Sequence, residues 1–115
     1  MKYLFLLYEN EQATPAPGSP ELQQQLQAYG AFYEDASSRG LFQSGDPVQG
    51  SQTATTVRVR NGATQPKSGP FNSGTEQIIG FYVLDCKDET EAVATAARIP
   101  AASTGAVEVR PILVM

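Results

Sequence analysis

Glu108 and Arg110 stand two residues apart, and in a strand that spacing puts both side chains on one face. A guanidinium is a planar, permanently charged fork suited to a carboxylate or phosphate, and a neighbouring carboxylate can hold the fork in one direction. The same pair also suits a structural ion pair or a contact between copies of the chain. Arg58 supplies a second fork and Glu76 a second carboxylate. Tyr8 ends one apolar run and Tyr82 lies within another. There a phenol either donates to a ligand or is a core aromatic whose hydroxyl needs a partner. Cys86 precedes a helix start, which can lower a thiol pKa, but the chain has no His to act as its base, and the residue reads as structural. Ser68-Gly69-Pro70-Phe71 reads as a turn that Pro70 stiffens, with the Ser68 hydroxyl capping it and Phe71 anchoring it against the core.

Several classes of chemistry are excluded by composition. Without His there is no imidazole acid, base or metal ligand, and a single Cys permits neither an intrachain disulfide nor a Cys-rich zinc site. Any metal would need oxygen ligands, which suits magnesium or calcium, yet the acidic residues are dispersed, so no stoichiometric metal and no cofactor is expected. A net charge of −4 with scattered Lys and Arg argues against nucleic acid. The N-terminal apolar run is too short for a signal peptide and no run is long enough to span a bilayer, so a soluble cytoplasmic protein with no membrane partner is expected. At 115 residues the chain is one domain, 1–115.

Two continuous apolar runs, Tyr3–Tyr8 and Ile78–Leu84, lack alternation and predict strands covered on both faces. Between them Gln12–Gly18 reads as a loop. A helix follows, with Ser19 as N-cap, Pro20 in the first turn and an apolar stripe of Leu22, Leu26, Tyr29, Tyr33 and Ala36, closed by Arg39 and Gly40. Leu41–Asp46 is a weak strand, Gly50–Thr53 a loop and Thr55–Arg60 an alternating strand. Asn61-Gly62 then turns the chain into Ala63–Lys67, whose Pro66 suits an edge. Asp88 and Glu91 open a second helix that Pro100 ends, Ala101–Gly105 is a loop, and Ala106–Val114 is the last strand.

That order predicts an α+β, ferredoxin-like split β-α-β antiparallel sheet with two helices on one face and an inserted hairpin. Two helices cover only one face. The central strands must send about half their side chains to the other, and the simplest cover is a second copy of the chain, a homodimer.

The residues Gly69, Pro70, Phe71, Glu76, Gln77, Gly80, Phe81 and Tyr82, with Met1–Leu4, Tyr8-Glu9, Ala54–Arg58, Ala96–Pro100 and Val107–Pro111, resemble the YCII-related family in its DGPF-type branch. Ser68, Ser73 and Thr75 stand where that branch has Asp, Glu and Lys. The resemblance implies a dimeric α+β barrel, and Arg58, Glu76, Glu108 and Arg110 are the polar residues that fit it and could face the space between the sheets. Ligand contacts are therefore expected from Tyr8, Arg58, Ser68, Phe71, Glu76, Tyr82, Glu108 and Arg110. Three functions remain open: a homodimeric small-molecule-binding or accessory domain with an altered motif loop, a cofactor-independent isomerase, lyase or oxygenase acting in the cleft, and a regulatory protein-interaction module. A deep polar-lined pocket favours the first two, and a filled cleft with an exposed apolar patch the third.

Overall fold

The run Tyr3–Tyr8 becomes the axis of the sheet. In the computed structural model, which describes residues 1–115, it lies in strand β1 (Lys2–Asn10). Strand β5 (Glu76–Asp85) pairs antiparallel with one edge of β1 and β6 (Ala106–Pro111) with the other. Strand β2 (Phe42–Pro47) joins β5, giving the order β2-β5-β1-β6. Helix α1 (Pro20–Ser38) follows β1 and helix α2 (Glu89–Ala96) follows β5, so the fold is the ferredoxin-like α+β plan that the element order predicts. Both apolar runs occupy the two central positions, where each strand has a neighbour on either side.

Local chemistry sets the element ends. Ser19 Oγ accepts from the Leu22 amide at 3.1 Å, and Asp88 Oδ1 accepts from the Glu91 amide at 2.9 Å. Glu91 returns the favour to the Lys87 amide, which makes the first turn of α2 a reciprocal cap. Gly40, at φ 73, ends α1 in the left-handed conformation.

One face of the sheet carries the core. Tyr3, Phe5 and Leu7 of β1 meet Leu84 of β5, Phe32 and Ala36 of α1, and Ala92 and Ala96 of α2. The helix stripe is rotated from the predicted one. Phe32 is buried, whereas Leu26 and Tyr33 are 61% and 49% exposed. Phe32 meets the Tyr82 ring at 5.2 Å, and a buried aromatic outweighs the four-residue spacing of the leucines.

Other boundaries also move. The predicted loop Ala101–Gly105 contains a short helical turn, α3 (Ala101–Thr104), because the Pro100 carbonyl accepts from the Ser103 amide. The last strand stops at Pro111 rather than Val114. Its partner β1 begins at Lys2, whose carbonyl takes one final bond from the Ile112 amide, and beyond it no strand remains to pair with.

The inserted hairpin, β3 (Thr55–Arg60) and β4 (Ala63–Ser68), is a two-stranded sheet of its own rather than an edge of the main one. Asn61 and Gly62 turn it with φ of 52° and 76°, the positive pair that such a tight turn requires. Ser68 is the last residue of β4, opposite Thr55, so it belongs to the strand and not to the turn. No helix of the chain is long and apolar enough to cross a membrane.

Candidate functional site

Because alternate residues of a strand face opposite ways, Leu4, Leu6 and Tyr8 of β1 turn away from the helices. Val83 and Phe81 of β5 join them, paired with Leu4 and Leu6, and on the other side Arg110 and Glu108 of β6 pair with the same two residues. No element of the chain covers this second face. Glu108 and Arg110 thus share it with Tyr8, as their spacing predicts.

Tyr8 is aimed by two backbone irregularities. The register between β1 and β5 slips at Leu7/Tyr8, so Leu7 pairs with Gly80 and Tyr8 with Ile78, leaving Ile79 as an extra residue. Such a bulge re-aims side chains, and it sets Ile78 beside Tyr8 while turning Gln77 inward. Across β1, Gly105 approaches so closely that a Cβ there would collide with the Tyr8 carbonyl, which only glycine allows.

A polar relay runs from this tyrosine. Its hydroxyl donates to Glu108 Oε1 at 3.4 Å, and Arg110 Nε donates to Glu108 Oε2. Burial raises the Tyr8 pKa, and the adjacent Glu108 charge raises it further, so the phenol keeps its proton at neutral pH. It can donate to a ligand but is no base.

Beside Tyr8 lies an open cavity of about 630 Å³, walled by Ile78, Thr56, Pro70, Phe71 and Asn72 together with the Val48–Ala54 connection. The turn at Gly69 (φ 109) brings Pro70 and Phe71 here, and Thr56 Oγ1 donates to the Gly69 carbonyl at 2.9 Å. Phe71 does not anchor the loop in the core. Its ring is 77% exposed and faces the Arg58 guanidinium, 5.3 Å from Cζ to the ring centroid. Arg58 has no carboxylate partner.

Two residues outside the predicted set hold the loop. Asn72 Oδ1 accepts from the Gly74 amide at 2.9 Å, and the Gln77 side-chain amide donates to the carbonyls of Asn72 and Gly74, both at 2.7 Å. Gln77 is buried, and a buried amide with such bonds fixes backbone that no strand pairs. Its position directly before the apolar run Ile78–Leu84 was the available signal. At the opposite wall Glu11 accepts from the Ser51 amide at 2.7 Å and from the Ser51 hydroxyl, bonds that lower its pKa.

The predicted residues therefore divide. Tyr8 and Phe71 line the cavity, Arg58 lies over Phe71, and Glu108 and Arg110 connect through Tyr8. Ser68 and the Glu76 side chain are exposed and make no side-chain hydrogen bond, so the Ser68 cap predicted for the turn does not form. Tyr82 lies on the helix face among Phe32 and Phe42, beside a second, apolar cavity of about 400 Å³ under α1, and so is separated from Tyr8 by the sheet. Cys86 is buried, and burial followed by the Glu91 charge raises its thiol pKa, the reverse of a nucleophile. No three Cys, Asp or Glu side chains gather in a group that could hold a metal ion.

The chain is similar to known proteins in sequence and in fold. An uncharacterised protein of Rhizobium meliloti (strain 1021) is 34% identical over 117 residues, covering 97% of this chain and 92% of that protein. A solved structure, 5-chloro-2-hydroxyhydroquinone dehydrochlorinase from Burkholderia phenoliruptrix AC1100 in complex with 2,5-dihydroxybenzoquinone, superposes with a TM-score of 0.55. It covers 98% of this chain and 94% of its own at 15% identity. That likeness is one of fold alone, the α+β arrangement described above. The description of the YCII-related domain matches residues 1–115, and the chain belongs to that family.

Proposed function

We propose that residues 1–115 form one YCII-like domain that works as a homodimer and binds a small planar anion in the cavity beside Tyr8. The observation that carries this reading is the cavity itself: an opening of about 630 Å³ where an uncovered apolar sheet face meets the Pro70-Phe71 turn, with a free guanidinium at its edge. Arg58 offers a fork to a carboxylate or ionised phenol, Phe71 a ring face and Tyr8 a hydroxyl. Its 3.4 Å bond to Glu108 is long enough to be exchanged for a ligand acceptor. The hydroxyquinone bound by the similar dehydrochlorinase is a ligand of this chemical kind. The second copy would cover Leu4, Leu6, Phe81 and Val83, and Ser68, Glu76, Glu108 and Arg110 would lie around the ligand or brace it.

A panel of aromatic carboxylates and hydroxyquinones, followed by calorimetry, tests the reading. Saturable binding is expected, weakened about tenfold by Arg58→Ala. Binding that survives both Arg58→Ala and Tyr8→Phe unchanged would place the ligand elsewhere.

A further inference from the structure

The chain exposes more surface than a self-contained molecule of its mass. Its accessible area is 7814 Å², and its radius of gyration is 16.0 Å. A folded monomer of this size is expected to expose about 6,100 Å² and to have a radius near 13 Å. The excess is about 1,700 Å² for one chain, which is in the range that each partner buries in a permanent homodimer.

The hairpin is part of that exposed surface. Every residue of β3 and β4 is exposed apart from the half-buried Thr56. Pairing sorts its side chains into two faces. Val57 and Val59, each 57% exposed, lie with Pro66 and Thr64 on one, and Arg58, Arg60 and Lys67 lie with Gln65 on the other. An apolar face on an isolated two-stranded ribbon is marginal in water unless something covers it.

Charge identifies the cover. From Pro47 to Thr75 there is no acidic residue, and the three basic ones give this segment +3. The remaining five bases against all 12 acids leave the rest of the chain at −7. None of Arg58, Arg60 and Lys67 forms an ion pair within its own chain. A basic arm on an acidic body with an uncovered apolar sheet face is complementary to a second copy of itself.

We infer that β3–β4 is a clasp: the hairpin of each copy reaches onto the other, seats Val57 and Val59 against it, and closes the partner's Tyr8 cavity from the side its own chain leaves open. This rests on the homodimer proposed above, and the two are separable by experiment. Analytical ultracentrifugation of the full chain and of Val57→Lys/Val59→Lys comes first. Both valines are exposed, so the variant is expected to keep its far-UV circular dichroism while dimerising about a hundredfold more weakly. p-Benzoylphenylalanine in place of Val59 is expected on irradiation to give a covalent species of twice the chain mass. A dimer whose affinity the two lysines leave unchanged, or whose Val59 cross-links are all intrachain, would overturn the clasp while leaving the homodimer standing. An unmodified chain that stays monomeric at about 100 μM, far above the dissociation constant of a permanent dimer, would overturn both.

Discussion

At the scale of single residues, Tyr29 carries a cost without a visible return. Its hydroxyl is buried on the helix side of the sheet with no hydrogen-bond partner, and its pKa is pushed up to about 12, by burial first and then by the Glu9 charge and Tyr82. The Ala101 backbone amide is close enough to offset part of that rise, but it does not reach the geometry of a full hydrogen bond. Since the folded value exceeds the unfolded one of about 10, the folded chain keeps a proton that the unfolded chain has lost. The stability tied to that proton is intact below about pH 10 and disappears as the pH rises towards 12. Tyr29→Phe is expected to stabilise the protein by about 1 kcal/mol at neutral pH and to flatten its decline above about pH 10. Urea titrations at neutral and alkaline pH would check both. A loss at neutral pH would mean that the hydroxyl has a partner. Glu11 and Asp85 act in the opposite direction. Hydrogen bonds from Ser51 and from the N-terminal ammonium lower their pKa values, so what they contribute is present above the ordinary carboxylate range and lost on acidification through the lowered values.

At the scale of elements, the loop between β4 and β5 rests on a polar brace rather than on its aromatic residue. Gln77 is buried with two carbonyl partners, whereas Phe71 is largely exposed over Arg58. Gln77→Ala is expected to cost about 2 kcal/mol, since it removes two hydrogen bonds that a buried side-chain amide makes to the loop carbonyls. Phe71→Ala is expected to cost less than about 1 kcal/mol, because little of its area leaves water on folding. Guanidinium titrations of the two variants would rank them, and a larger loss at Phe71 would show that its ring is covered in solution.

At the scale of the whole molecule, helices cover one face of the sheet and nothing in the chain covers the other. Only 15 of the 115 residues are buried, all but a few of them in one cluster between sheet and helices. Phe81, paired with Leu6 on the uncovered face, tests whether a second copy covers that face, as proposed above. Phe81→Lys would bury an unpaired ammonium in a sheet-to-sheet dimer, a cost of about 3–5 kcal/mol, and is expected to give a folded monomer by size-exclusion chromatography with light scattering. A variant that dimerises as tightly as the parent would move the interface off this face.

Strand order and the central places of Tyr3–Tyr8 and Ile78–Leu84 were legible in the sequence, because an unbroken apolar run marks a strand with both faces to be covered, and such strands lie at the centre of a sheet. Helix starts at Ser19 and Asp88 and the Asn61-Gly62 turn were equally legible, since capping and tight turns depend on residues adjacent in the chain. The same unbroken runs carry no alternation, so the sequence had no means of telling which side Tyr8 or Tyr82 takes. That was decided by the bulge at Ile79 and by pairing with β6, contacts between residues far apart in sequence. The gathering of Arg58, Arg60 and Lys67 on one hairpin face, the exposure of Phe71 and the brace through Gln77 were likewise settled in three dimensions. Each depends on which surfaces the rest of the fold leaves open, and short-range preference in a chain does not contain that information.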